Sequence, residues 1–275
     1  MPFDLTVRPG APQGGTDPKK ARLEALKAAA AQAKTGTATN PTGIIKYIPA
    51  AECPDRNRIV FDDSGSMDRY IEDAKKGVVE YLRNCLPNQT AVGVNFMNTT
   101  SELDNLSSNL VELANNLTEL RLSSGGTPFF NTLKRALESK PVLTRLIAFT
   151  DGAPTDRLNS ETETEIDRWA VNGGLFDSVD VWKHSANIII KIALAVGGGT
   201  RHIPIDTVYF GNNDTWTAKN IELLKYLSDA TGGYFLHFDP KIPNIFKQLK
   251  YLAPVNRLQL ASASFRADVE SGKAK

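Results

Sequence analysis

Two cysteines, Cys53 and Cys85, are all that 275 residues contain, and no CxxC pair is among them. No disulfide framework can be drawn from so few. Long apolar runs are also missing. The longest mainly apolar stretch, Ile188 to Val196, is interrupted by Lys191. It falls far short of the ~20 residues that a membrane-spanning helix needs. A surplus of charge is absent too: the net value is +1, which argues against a nucleic-acid or membrane partner. Histidine is scarce, and His184, His202 and His237 are scattered, so no Ser/His/Asp catalytic set can be assembled. The first ten residues, MPFDLTVRPG, hold no apolar core of a secretory signal. The expected compartment is therefore the cytoplasm, with reduced thiols, or else a virion or other large assembly. In the cytoplasm the five N-x-[ST] sequences, starting at Asn88, Asn98, Asn105, Asn116 and Asn213, carry no meaning.

What is present is ordinary in bulk and uneven in distribution. Apolar residues make up 41% and charged residues 23%, the balance of a soluble globular protein. Residues 1–42 carry six basic and three acidic side chains, and 254–275 carry four and two. These excesses of +3 and +2 leave −4 for the segment between them. The ends read as solvated extensions: an N-terminal arm and helix (1–42), a folded domain (43–253) and a C-terminal tail (254–275). Within the first, 1–16 is rich in glycine, proline and polar residues. Residues 17–34 form an alanine-rich helix with Asp17 as cap and Pro18 in the first turn.

From residue 43 the pattern becomes regular. A short strand is expected over 43–49. Apolar strands at 58–62, 91–97, 145–150, 205–211 and 234–239 alternate with helices at 68–86, 109–122, 128–139, 179–196, 217–231 and 241–252. In the first of these helices Tyr70, Ala74, Val78, Tyr81 and Leu82 share one face. The alternation predicts an α/β fold: a doubly wound, mostly parallel sheet covered by helices on both sides. Ligands in such sheets bind at the carboxyl ends of the strands.

The stretch FDDSGSM, 61–67, lies at one of those ends. Its alternatives are testable by spacing. A nucleophilic-aspartate phosphatase wants a second aspartate where Ser64 stands. A hydrolase elbow reads G-x-S-x-G, and a P-loop ends in Gly-Lys-Ser/Thr; neither is present. Aspartate with two hydroxyls suits a hard cation, which takes oxygen ligands. Two further strand ends supply more oxygen: SSGGTPFFNTL offers Thr127 and LIAFTDGAPTD offers Asp151. Asp62, Ser64, Ser66, Thr127 and Asp151 thus form a candidate site for Mg²⁺ or Mn²⁺. Asp63 and Asp156 sit near the same rim, where capping of turns or helices is the simpler role.

The order DxSxS, then GGTP, then TDGAPTD resembles the von Willebrand factor type A domain. LKYLSDATGGYFLHFD and IPNIFKQL also resemble that family's last helix, last strand and closing helix, so the likeness covers about 57–253. It implies a metal-ion-dependent adhesion site in which Ser64, Ser66 and Thr127 touch the ion. Asp62 and Asp151 then act largely through water. It further implies a non-catalytic module whose protein partner supplies an acidic side chain to the sixth coordination position. Such a partner could be a MoxR-type AAA+ ATPase, for which the module is an adaptor, or a multi-subunit assembly such as a phage or secretion particle. The alternative is an enzyme using Mg²⁺ for hydrolysis or phosphoryl transfer. Against it stands the lack of a general base and of a nucleotide motif. Asp151 is followed by a long insertion, roughly 157–178. Its acids Glu161, Glu163, Glu165 and Asp167 either cap a solvated helix or reach the metal as an internal ligand.

Overall fold

A computed structural model describes residues 47–98, 105–119, 125–158, 179–211 and 215–275. The expected arm and helix before residue 47, and the insertion acids at 161–167, lie outside these residues.

Five strands form one sheet: β1 (Asp55–Phe61), β2 (Thr90–Phe96), β3 (Arg145–Thr150), β4 (Ile205–Phe210) and β5 (Phe235–Phe238). Their order is β2-β1-β3-β4-β5 and every pairing is parallel. This α/β fold with a five-stranded, all-parallel sheet between helices is von Willebrand factor A-like. Both faces are covered, and the strands accordingly carry apolar runs toward their carboxyl ends, as at 59–61, 146–149 and 208–210. One face carries α1 (Ile71–Arg83) and the 3-10 helix Ile245–Leu252, and the other carries α3 (Phe129–Glu138), α4 (Val179–Val196) and α5 (Thr215–Thr231). α2 (Leu110–Glu119) packs beside α1. Close contact of α1 with the 3-10 helix requires Gly77, where a Cβ would lie 2.5 Å from the Phe246 carbonyl oxygen.

Helix ends follow their local chemistry. α4 stops at Gly197-Gly198-Gly199: the Gly199 N–H donates to Leu194 O, with Gly198 and Gly199 in the left-handed region. The glycines are a helix stop. α5 ends the same way, with Gly232 at φ 75° and the Gly233 N–H donating to Ser228 O.

Three expectations are corrected. Residues 47–49 form no strand, and 241–252 form a 3-10 helix starting at Ile245 in place of a longer α-helix. Residues 254–275 are no tail. They form a 3-10 turn (Arg257–Ala261) and α6 (Ala263–Glu270), and Leu260 and Val269 are fully buried in the core on the α1 side. Phe265 stands edge-on to Tyr251, 5.0 Å between ring centres, and the Tyr251 hydroxyl donates to Lys275 O at 2.6 Å. The large apolar residues of this segment, Val255, Leu258, Leu260, Phe265 and Val269, show no regular period, and the burial of Leu260 and Val269 depends on residues far away in the chain. Cys53 and Cys85 are both buried free thiols. Burial pushes the Cys85 thiol up to about 12, so it is an inert core residue. Among the described residues no helix is long and apolar enough to cross a membrane.

Candidate metal centre

The sheet sets the stage at its carboxyl edge. Phe96, Phe61, Phe149, Phe210 and Phe238, one from each strand, form a row across the whole sheet in strand order. Successive ring centres are 5.4 to 6.0 Å apart. Each is the last or next-to-last residue of its strand. The row gives the strand ends a dry, close-packed floor, and the polar loops begin directly above it. β1 and β3 are neighbours, yet the chain leaves β1 by α1 on one face and β3 by α4 on the other. That divergence opens the crevice in which doubly wound sheets hold ligands.

All five residues singled out from the sequence meet there. Asp62 is fully buried. Its Oδ1 accepts the Ser64 N–H at 2.9 Å. Its Oδ2 accepts the hydroxyls of Thr150 at 2.6 Å and Thr127 at 3.3 Å. Ser64 and Ser66 place their Oγ atoms 3.1 Å apart, and the Ser66 hydroxyl donates to Asp151 Oδ1 at 2.7 Å. The 3-10 turn Gly65–Arg69 puts both serines on the same side of the loop. A Cβ on Gly152 would stand 3.6 Å from Thr127 Oγ1 and 3.9 Å from Ser66 Oγ, so this glycine keeps space above the donors open.

The hydrogen bonds have a direction that matters. Thr127 and Ser66 give their protons to Asp62 and Asp151. Their hydroxyl oxygens therefore keep lone pairs for a third party, and a cation is the natural one. The carboxylates supply the balancing charge, at a cost. Burial raises the Asp62 carboxyl above its usual range, against the pull of its hydrogen bonds from Thr150, Ser64 and Thr127. Burial also pushes Asp151 up to about 6, helped by the Asp62 charge and opposed by Ser66 and Arg69. Two carboxylates held in a partly dry crevice, whose charge Arg69 offsets only in part, call for further positive charge. The set is all oxygen, as Mg²⁺ and Mn²⁺ prefer. Among the described residues no group of three or more His, Cys, Asp or Glu gathers that could hold a metal ion, so at this centre hydroxyls would have to complete the donor set.

Several residues that shape the centre were not singled out. Thr150 makes the shortest bond to Asp62, and the only sequence signal for it is its place before Asp151. Thr155 zips the neighbouring loop into place: Thr127 N–H donates to Thr155 Oγ1 at 2.8 Å, and Thr155 N–H donates to Thr127 O at 2.9 Å. Asp156 accepts the N–H groups of Phe130 and Asn131 at 3.1 and 2.7 Å, capping α3 from outside. Asp63 accepts from Asn98. Asp156 thus caps a helix, whereas Asp63 ties the loop after β1 to the one after β2. His237 is structural, its Nε2 lying 2.9 Å from Gly211 O.

Comparison with known proteins bears on the fold. No protein-family model matches the chain, and no curated protein matches it in sequence. Among solved structures, a D319A mutant of the PilB minor pilin from Streptococcus sanguinis superposes with a TM-score of 0.56 at 14% identity. That match covers 76% of this chain and 62% of the pilin. Proximal thread matrix protein 1 from the mussel byssus, described with a zinc-occupied MIDAS motif, matches with a TM-score of 0.46 at 15% identity. Coverage is 76% of this chain and 48% of that one. The ArnB paralog VWA2 from Sulfolobus acidocaldarius matches at 0.41 and 15%, covering 71% and 45%. This chain thus spans less than two thirds of each of the three. What it shares with the pilin at such identity is the fold.

Proposed function

We propose that this chain is a non-catalytic protein-interaction module whose binding depends on a divalent cation, Mg²⁺ or Mn²⁺. Ser64, Ser66 and Thr127 would hold the ion through their hydroxyl oxygens. Asp62 and Asp151 would neutralise it while accepting the hydroxyl protons. When bound, the ion supplies a Lewis-acidic position open to an acidic side chain of the partner. The observation that carries this reading is the proton direction at Ser66 and Thr127, each donating to a carboxylate, with both oxygens within 4 Å of the point where a Cβ on Gly152 would stand. The partner's role fits either an ATPase of the MoxR type served by an adaptor or a neighbouring subunit in a large assembly. Calorimetric titration with Mg²⁺ and Mn²⁺ tests the first step. Binding by the native chain and none by Asp62→Asn is the expected result, and equal binding by both rejects the reading. Partner capture that survives EDTA would reject the metal dependence, and Mg²⁺-dependent hydrolysis of a phosphoester would reject the non-catalytic role.

A further inference from the structure

Residues 125–128, which carry Thr127, have no regular structure of their own. They connect to α3 and lie between two neighbours. Thr155 holds one side through the two bonds described above. Asn98, at the end of β2, holds the other. Its side-chain Nδ2 donates to Gly126 O at 2.7 Å and to Asp63 Oδ1 at 3.1 Å, and its backbone N–H donates to the same Asp63 oxygen at 2.8 Å. Asp63 stands between Asp62 and Ser64. One amide group therefore joins the loop of Ser64 and Ser66 to the loop of Thr127.

The two glycines before Thr127 are explained by this arrangement. A Cβ on Gly125 would lie 2.8 Å from Asn98 Oδ1, and one on Gly126 would lie 2.6 Å from Thr155 Oγ1. Each glycine admits one of the two holders at close range. Any side chain at 125 pushes Asn98 away, and any at 126 pushes Thr155 away.

We infer that Asn98 is a positioning residue for the metal centre: it sets the separation of Thr127 from Ser64 and Ser66, and so the affinity for the cation, without donating to the cation itself. This rests on the metal-binding reading above. A hard cation such as Mg²⁺ demands near-ideal geometry, so loosening one of three hydroxyl donors weakens it sharply. Partners that orient metal ligands are typically worth ~10–100-fold in affinity.

The sign of one substitution separates positioning from plain electrostatics. Asn98→Asp preserves shape and adds a negative charge near the centre. Charge alone predicts tighter cation binding. Loss of both amide donations, with a new carboxylate set against Asp63, predicts weaker binding. The experiment is Mn²⁺ titration by calorimetry of the native chain, Asn98→Ala, Asn98→Asp and Asp62→Asn. Hydrogen exchange of residues 125–128 is followed in the metal-free proteins. Both Asn98 variants are expected to bind about tenfold more weakly or worse. Their 125–128 amides should exchange faster while the strands keep native protection, which also shows that the variants fold. Asn98→Asp binding as tightly as the native chain, or tighter, overturns the inference. So does unchanged exchange at 125–128 in both variants. If Asp62→Asn also binds normally, the metal reading itself has failed, and the inference falls with it.

Discussion

Proton competition at Asp151 offers a quantitative check on the centre. Its carboxyl is pushed up to about 6, first by burial and then by the charge on Asp62. Asp62 shifts in the same direction, again by burial. A cation needs these groups ionised. A carboxyl that titrates near 6 is roughly nine-tenths ionised at pH 7 and roughly one-tenth at pH 5. Mn²⁺ affinity should thus fall about tenfold between pH 7 and pH 5 through Asp151. Stability follows with a definite sign. Both acids have folded pKa values above the ordinary 3.8. The folded state therefore holds more protons than the unfolded chain between about pH 4 and 6, and the metal-free protein loses stability as pH rises through that window. A bound cation relieves this cost, so the gain in Tm on adding Mn²⁺ should be large at pH 7 and small at pH 5. Calorimetry and thermal melts at pH 5, 6 and 7 at fixed ionic strength measure both. A Kd that does not change from pH 5 to 7 refutes the reasoning. So does an Asp151→Asn variant that retains the full pH slope.

Four further outcomes follow from named contacts. Ser64→Ala should remove Mn²⁺ binding while the far-ultraviolet circular dichroism stays native, because the partners of Ser64 Oγ, Ser66 and Asp62, belong to the same centre at the strand ends; loss of the native spectrum would show that it is structural. Gly152→Leu should fold normally and bind cation or acidic partner poorly, since a Cβ already stands 3.6 Å from Thr127 Oγ1; unchanged titration would show that the approach lies elsewhere. Gly233→Ala should cost about 3 kcal/mol in chemical denaturation, because its Cβ would lie 1.9 Å from the Ile205 carbonyl oxygen; a change under about 1 kcal/mol would contradict this. Truncation after Pro254 should cost about 3–6 kcal/mol, from Leu260 and Val269 at roughly 1.5–3 kcal/mol per buried side chain, and an unaltered melting curve would restore the reading of this segment as a tail.

The alternation of strands and helices was legible without any structure, and the reason is local. A strand buried on both faces tends to carry a run of apolar residues, as 146–149 and 208–210 do, so its run is visible without any partner. The same holds for DxSxS, GGTP and TDG: each is a short loop whose donors are consecutive or alternate residues. The glycine stops at 197–199 and 232–233 are equally local, since a left-handed residue needs no distant neighbour. Tertiary structure alone decided the rest. Asn98 reads as one more polar residue in an N-T-T triplet until β2 is laid beside β1, which brings it within reach of Asp63 and Gly126 across 35 and 28 residues. The phenylalanine row exists only once five strands are aligned, because each ring meets the next from a different strand. The large apolar residues among the last twenty follow no period, and the burial of Leu260 and Val269 depends on the surface that β5 and the 3-10 helix Ile245–Leu252 present together. Contacts made by consecutive residues leave a pattern in the sequence; contacts closed across tens of residues leave their partners chemically unmarked.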